Sequence, residues 1–210
     1  MKIEVVCRPN DLHEKLNIEL ISYKHAVDMA FDKIEQNEVV SSWTDALSGN
    51  TLENGLEEYM NVPQFGCLND VRTCPVKDRE AALDKIFSIG GEHGWYAYDF
   101  LWELRGLLDK TVGGVGLRRG RKNQNNITAG ETLDFWRVIY ASRETGRLLL
   151  YAEMKLPGEA WLEFKLSEKL LTQTATFRPK GLWGRLYWYT LLPMHHFIFG
   201  KMVKKVAAYE

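Results

Sequence analysis

The chain of 210 residues is predicted to be an α+β protein: an antiparallel sheet covered by one long C-terminal helix. Three observations predict it. Apolar residues recur at helical spacing ahead of Glu131, and an alternation of period two replaces that spacing from there to Phe177. The alternating strands sort into one apolar and one mostly charged face, so one face needs a cover. The segment from Gly181 onward is the one stretch long and apolar enough to provide it.

Residues 1–60 read as an N-terminal arm and residues 61–210 as the folded domain. In the arm, Ser22 is a candidate N-cap for a helix to Asn37, with Ala26, Val27, Ala30, Phe31 and Ile34 at helical spacing. The stretch from Phe31 to Met60 is acidic, and Ser48-Gly49-Asn50 marks a loop. In the domain, Val71–Val76 reads as a strand ended by Pro75. A helix follows from Asp78 to about Ile89 and stops at Gly90-Gly91. A second helix, Asp99 to Lys110, carries Leu101, Trp102, Leu104, Leu107 and Leu108. The loop Gly113-Gly114-Val115-Gly116 follows it.

Strands are expected at Thr132–Ala141, Arg147–Lys155, Glu159–Leu166 and Leu170–Phe177, joined by short connections into a meander. A three-residue loop at Leu156-Pro157-Gly158, with Gly158 left-handed, sets Met154 opposite Ala160, Ala152 opposite Leu162, Leu150 opposite Phe164 and Leu148 opposite Leu166. These residues form the inner face, joined by Trp136, Val138, Leu171, Gln173, Ala175 and Phe177. Arg137, Glu153 and Glu163 fall outside, as cross-strand ion pairs on a wet surface. Slipping the register by one would turn the carboxylates inward and make general acid/base chemistry credible, so the face assignment is decisive. The last segment reads as one helix kinked at Pro193, with Trp188, Leu192, His195, Phe199, Met202 and Val206 spaced by threes and fours.

With 27 basic and 28 acidic side chains the formal net charge is -1, so no nucleic-acid partner is expected. A hydrophobic fraction of 45% supports a sizeable core and excludes a disordered chain. Aromatic residues at 12% point to broad apolar walls. Cys7, Cys67 and Cys74 are odd in number and form no Cys-x-x-Cys, so a reduced, cytoplasmic setting is expected. The Met1–Val5 patch is too short and too acidic for a secretory leader. The aromatic run from Trp183 to Tyr189 has the look of a membrane belt. Arg185, Pro193 and two histidines leave too little apolar length to span. An interfacial helix ranks behind the covering role, because the apolar sheet face needs this helix, and a membrane partner is not expected.

Several segments together carry a family likeness. They are His93-Gly94-Trp95-Tyr96, Leu107-Leu108-Asp109-Lys110 with the glycine loop and Leu117-Arg118-Arg119-Gly120-Arg121, and Asp134-Phe135-Trp136-Arg137. Ala152 through Phe164, Leu171-Thr172-Gln173-Thr174-Ala175, and Gly181 through Tyr189 with Pro193 and His195 complete the series. From about Val71 to Ala207 the chain resembles a bacterial family of unknown function found C-terminal to short-chain-dehydrogenase-like NAD(P)-binding domains. The resemblance implies the helix-grip fold of the SRPBCC/START superfamily, whose members hold an apolar ligand between sheet and long helix. Ile21 through Trp43 is similar to the tail of the dehydrogenase-like partner. No glycine-rich turn accompanies it, so no dinucleotide site and no cofactor are expected in this chain.

The expected ligand lining is Trp102, Trp136, Met154, Phe164, Gln173, Tyr187, Trp188, Leu191, His195 and Phe199, with Gln173, Tyr187 and His195 as polar handles. The expected ligand is a small or mid-sized apolar molecule. The alternative is a cyclase- or dehydratase-type enzyme, with His195 as base and Tyr187 or Asp99 as acid. A third reading makes the acidic arm a dock for a separate oxidoreductase or a second copy. No metal site is expected, because His195 and His196 are adjacent and point about 100° apart on a helix. The glycine loop with Arg118, Arg119, Arg121 and Lys122 could cradle an anion. No strand precedes it, so a solvated basic loop is the better reading.

Overall fold

In the computed structural model the described residues are 15–17, 19–35, 57–116 and 126–207. The Met1–Val5 patch, Cys7, the Ser48-Gly49-Asn50 loop and the basic run Arg118, Arg119, Arg121 and Lys122 lie outside them. The chain divides into two compact units, residues 1–40 and 41–210. The first contains helix α1 (Tyr23–Glu35). Ser22 caps it as expected: its Oγ accepts the His25 N–H at 3.2 Å.

The second unit is α+β. Its elements are β1 (Leu68–Pro75), α2 (Arg79–Phe87), α3 (Asp99–Thr111), β2 (Thr132–Leu133), β3 (Trp136–Ser142), β4 (Arg147–Ala152), β5 (Gly158–Leu166), β6 (Leu170–Pro179) and α4 (Gly181–Val206). The strands form one six-stranded antiparallel sheet in the order β1-β6-β5-β4-β3-β2. Asp78 starts α2 by accepting the N–H groups of Glu80 and Ala81.

Three local expectations are corrected. The strand expected at Thr132–Ala141 is two strands, because Asp134 adopts φ 54° and turns the chain so that Leu133 pairs with Trp136. Aspartate tolerates that left-handed conformation better than most residues. Leu150 pairs with Leu162 and Leu148 with Phe164, so the β4–β5 register lies two residues from the expected one. A shift of two keeps every side chain on its face. The connection is longer than a three-residue loop, and Gly158 begins β5 as an extended residue rather than closing a turn.

The inner face carries the main core. Leu148, Leu150, Leu162, Phe164, Leu171 and Ala175 are buried there with Phe199, Met202, Val203 and Val206 of α4 and Leu83, Ile86 and Phe87 of α2. The outer face is not simply wet. Tyr59, from a short 3-10 turn at Glu57–Met60, packs at a tilt of 35° on Tyr151 with ring centroids 4.0 Å apart and accepts the Trp161 indole N–H at its carbonyl. Ile139 and Leu149 complete that second cluster. Beside it Arg137 grips Glu153 with Nε and Nη2 at 3.0 and 3.2 Å, and both side chains are fully buried. The ion pair expected on the surface is therefore internal to the outer layer, where removing one partner would strand a charge. Glu163 pairs with Arg147 and Lys165, as a cross-strand surface group does.

Candidate functional site

Between the sheet and the stretch of α4 from Tyr187 to Phe199 lies an apolar hollow of about 110 Å³. α3 lends it Trp102 and Arg105, β3 lends Trp136, and the β4–β5 connection lends Met154. α4 supplies Tyr187, Trp188, Leu191, His195 and Phe199, the inward residues of successive turns. Ala160 and Ala175 form the floor, and their small side chains leave the space that the rings around them do not fill.

The close fit of α4 at one end explains the hollow's position. A Cβ on Gly184 would collide with the Pro157 carbonyl, so only glycine lets the helix lie this near the β4–β5 connection. The Lys180 N–H donates to the same carbonyl at 2.9 Å. From there the helix roofs the aromatic wall. Trp188 stacks on Phe177 at 5.7 Å, with planes within 7°, and presents its edge to the His195 ring at 5.0 Å. Trp95 stacks behind Trp102 at 4.7 Å and donates its indole N–H to Asp134 at 2.8 Å. Trp102 donates to the Ala97 carbonyl at 3.1 Å.

Two nitrogens in lining residues are left over. Trp136 Nε1 and His195 Nδ1 are buried without a hydrogen-bond partner among the described residues. Buried polar atoms in that state are rare, and each favours a partner of the opposite kind. Burial pushes the His195 pKa below its ordinary value; the Asp70 carboxylate opposes this and Arg72 reinforces it. The ring is thus held neutral, with one donor and one acceptor nitrogen. Burial pushes the Tyr187 phenol upward against the pull of the Arg105 guanidinium, which bonds it. Tyr187 therefore stays protonated.

Phe164 and Gln173 are the expected lining residues that the structure leaves out. Both sit on the inner face, paired across the β5–β6 ladder, but one step along the strands from Ala175 and inside solid core. The Gln173 amide is fully buried with neither its oxygen nor its nitrogen partnered among the described residues, so it is not a handle in this wall. Asp99, the alternative acid, is also absent from the wall; its carboxylate accepts the Trp95 N–H at 2.7 Å. Ten further lining residues were not expected, among them Leu101, Phe177, Met194 and Ile198, and Arg105 is the charged one. Its place three residues after Trp102 on α3 is the signal that could have found it.

The glycine loop has an internal occupant. Asp109 of α3 is fully buried and accepts the N–H groups of Gly116 at 2.9 Å and Lys155 at 2.8 Å. A Cβ on Gly114 would overlap that carboxylate. The backbone amides that could have cradled an anion close on the chain's own aspartate. Among the described residues no group of His, Cys, Asp and Glu is arranged to hold a metal ion. His196 is exposed, with Nδ1 3.3 Å from Arg72 Nη1.

Residues 67–202 match the family described as a protein of unknown function (DUF2867). No curated protein matches the chain. The matched span takes in all six strands and most of α4, and the chain belongs to that family.

Proposed function

We propose that this member of the DUF2867 family binds a small apolar molecule in the hollow under α4, in the manner of a helix-grip ligand-binding domain. The observation that carries the reading is an aromatic-walled cavity whose lining includes two buried ring nitrogens without partners among the described residues. Drug-sized pockets run to roughly 300–1,000 Å³, whereas an apolar cavity of roughly 150 Å³ takes up benzene. About 110 Å³ therefore fits the smaller end of the expected range, a molecule near the size of a single ring. A hydroxyl or carbonyl on that ring would partner the Trp136 N–H or the neutral His195.

The test is titration with monocyclic phenols and aryl ketones, followed by tryptophan fluorescence and by native mass spectrometry. Saturable binding is expected in the full chain. Ala175→Leu, which fills the floor, is expected to abolish it while leaving the fold intact. Binding that survives Ala175→Leu, or no binding in the full chain, would remove the proposal.

The cyclase- or dehydratase-type reading keeps His195 as base and the protonated Tyr187 of the same wall as acid, while its other candidate acid, Asp99, lies outside that wall. The acidic-arm reading, with a separate oxidoreductase or second copy as partner, remains a proposal about residues 1–60. Size exclusion of the full chain against one lacking residues 1–40, which keeps Tyr59 in the outer cluster, tests it.

A further inference from the structure

α4 is apolar on both sides. Its inner stripe covers the sheet. A second stripe, Leu182, Leu186, Tyr189, Pro193 and Phe197, follows helical spacing along the outside and is exposed throughout. Leu182 is 80% and Trp183 77% exposed, extreme values for side chains of that size. Surface stripes of this kind mark interaction sites.

The charges around the stripe indicate the occupant. From Lys180 to Ala207 the sequence contains no Asp or Glu, while Lys180, Arg185, Lys201, Lys204 and Lys205 are all exposed. α3 also exposes Phe100, Leu104, Leu107 and Leu108, but Glu103 sits among them. Among the described helices, α4 alone combines an apolar stripe, aromatic residues and charge of one sign. That combination belongs to helices lying in the headgroup region of anionic bilayers. A symmetric dimer through the same face would set this basic helix against its own copy, and like charges oppose that. No helix among the described residues is long and apolar enough to cross a membrane.

We infer that the outer face of α4 docks this protein on the surface of an anionic lipid bilayer. The sequence reading set a membrane role aside because the sheet needs this helix. The structure lets one helix do both, since the covering stripe and the exposed stripe lie on opposite sides. The inference is independent of what fills the hollow.

The test is co-sedimentation of the full chain with phosphatidylserine–phosphatidylcholine vesicles against phosphatidylcholine alone. Binding is expected to the anionic vesicles and to weaken as salt screens the lysines and arginines. The double variant Trp183→Ser/Leu186→Ser, at exposed positions, is expected to lower the partition coefficient roughly tenfold or more. Arg185→Glu is expected to lower it roughly tenfold. Phe65→Ser, an exposed residue away from the helix, is expected to leave it unchanged. Circular dichroism confirms that each variant is folded. Failure to sediment, adsorption indifferent to lipid charge, loss of binding in Phe65→Ser equal to that in the double variant, or a dimer in size exclusion that the double variant dissolves would each overturn the inference.

Discussion

α4 roofs two unlike spaces. Under its last turns Met202, Val203 and Val206 interleave with the side chains of α2 and the sheet, and all three are buried. From Tyr187 to Phe199 its inward side chains meet Trp102, Trp136 and Phe177, and a hollow remains. Both stretches follow the same threes-and-fours spacing, so periodicity sets which way residues point and not how well they fill. Methionine bends into gaps and valine offers a compact knob. Flat rings held in fixed stacks leave voids beside small residues such as Ala160 and Ala175.

The comparison is most open to attack by truncation. Met202→Ala at the filled end should cost about 2–5 kcal/mol in chemical denaturation, whereas Leu191→Ala, which already faces empty space, should cost about 1 kcal/mol. Equal losses would mean that the two ends are packed alike. Enlargement should act with opposite signs. Val203→Phe should destabilise by about 1–3 kcal/mol, while Ala175→Leu should stabilise by about 0.5–1 kcal/mol as it occupies the hollow. Its Tm should rise as its ligand binding disappears.

The smallest expected effect is that of pH. His195 has a folded-state pKa below the ordinary 6.5, so the unfolded chain binds its proton first on acidification. Its contribution is fully present above the unfolded value and is lost as pH falls toward the folded one. His195→Phe should flatten that part of the stability profile. An unchanged acid slope in His195→Phe would show that the ring is not held neutral by its surroundings.

The division of the sheet into faces was legible because alternation is a strong signal. Leu148, Leu150, Leu162 and Phe164 all turned inward as read. The register was not legible, because a slip of two leaves every face unchanged. What fixes it comes from elsewhere in the chain: Glu153 N–H donates to the Phe135 carbonyl and Lys155 N–H to Asp109. The turn at Asp134 left a mark that one continuous strand overlooks: the apolar alternation changes phase there, from Leu133 and Phe135 to Trp136 and Val138. The cover on the outer face was hidden because Tyr59 reaches it from a single 3-10 turn, too short to show a period. The extent of the hollow depends on fit rather than pattern, which is why Phe164 and Gln173 shared the correct face but not the wall.

The buried aspartate in the glycine loop has a mechanical consequence. Asp109 fastens the end of α3 to Lys155, and the same β4–β5 connection carries Met154 and Leu156. The side of the chamber built by Leu101, Trp102 and Arg105 is thereby tethered to the side built by that connection. These parts should travel as one rigid block, so on the proposed binding reading access to the hollow would fall to the opening turns of α4. The rate at which a guest enters or leaves should then respond to changes near Gly184 and Pro193, and hardly at all to changes along the solvent side of α3.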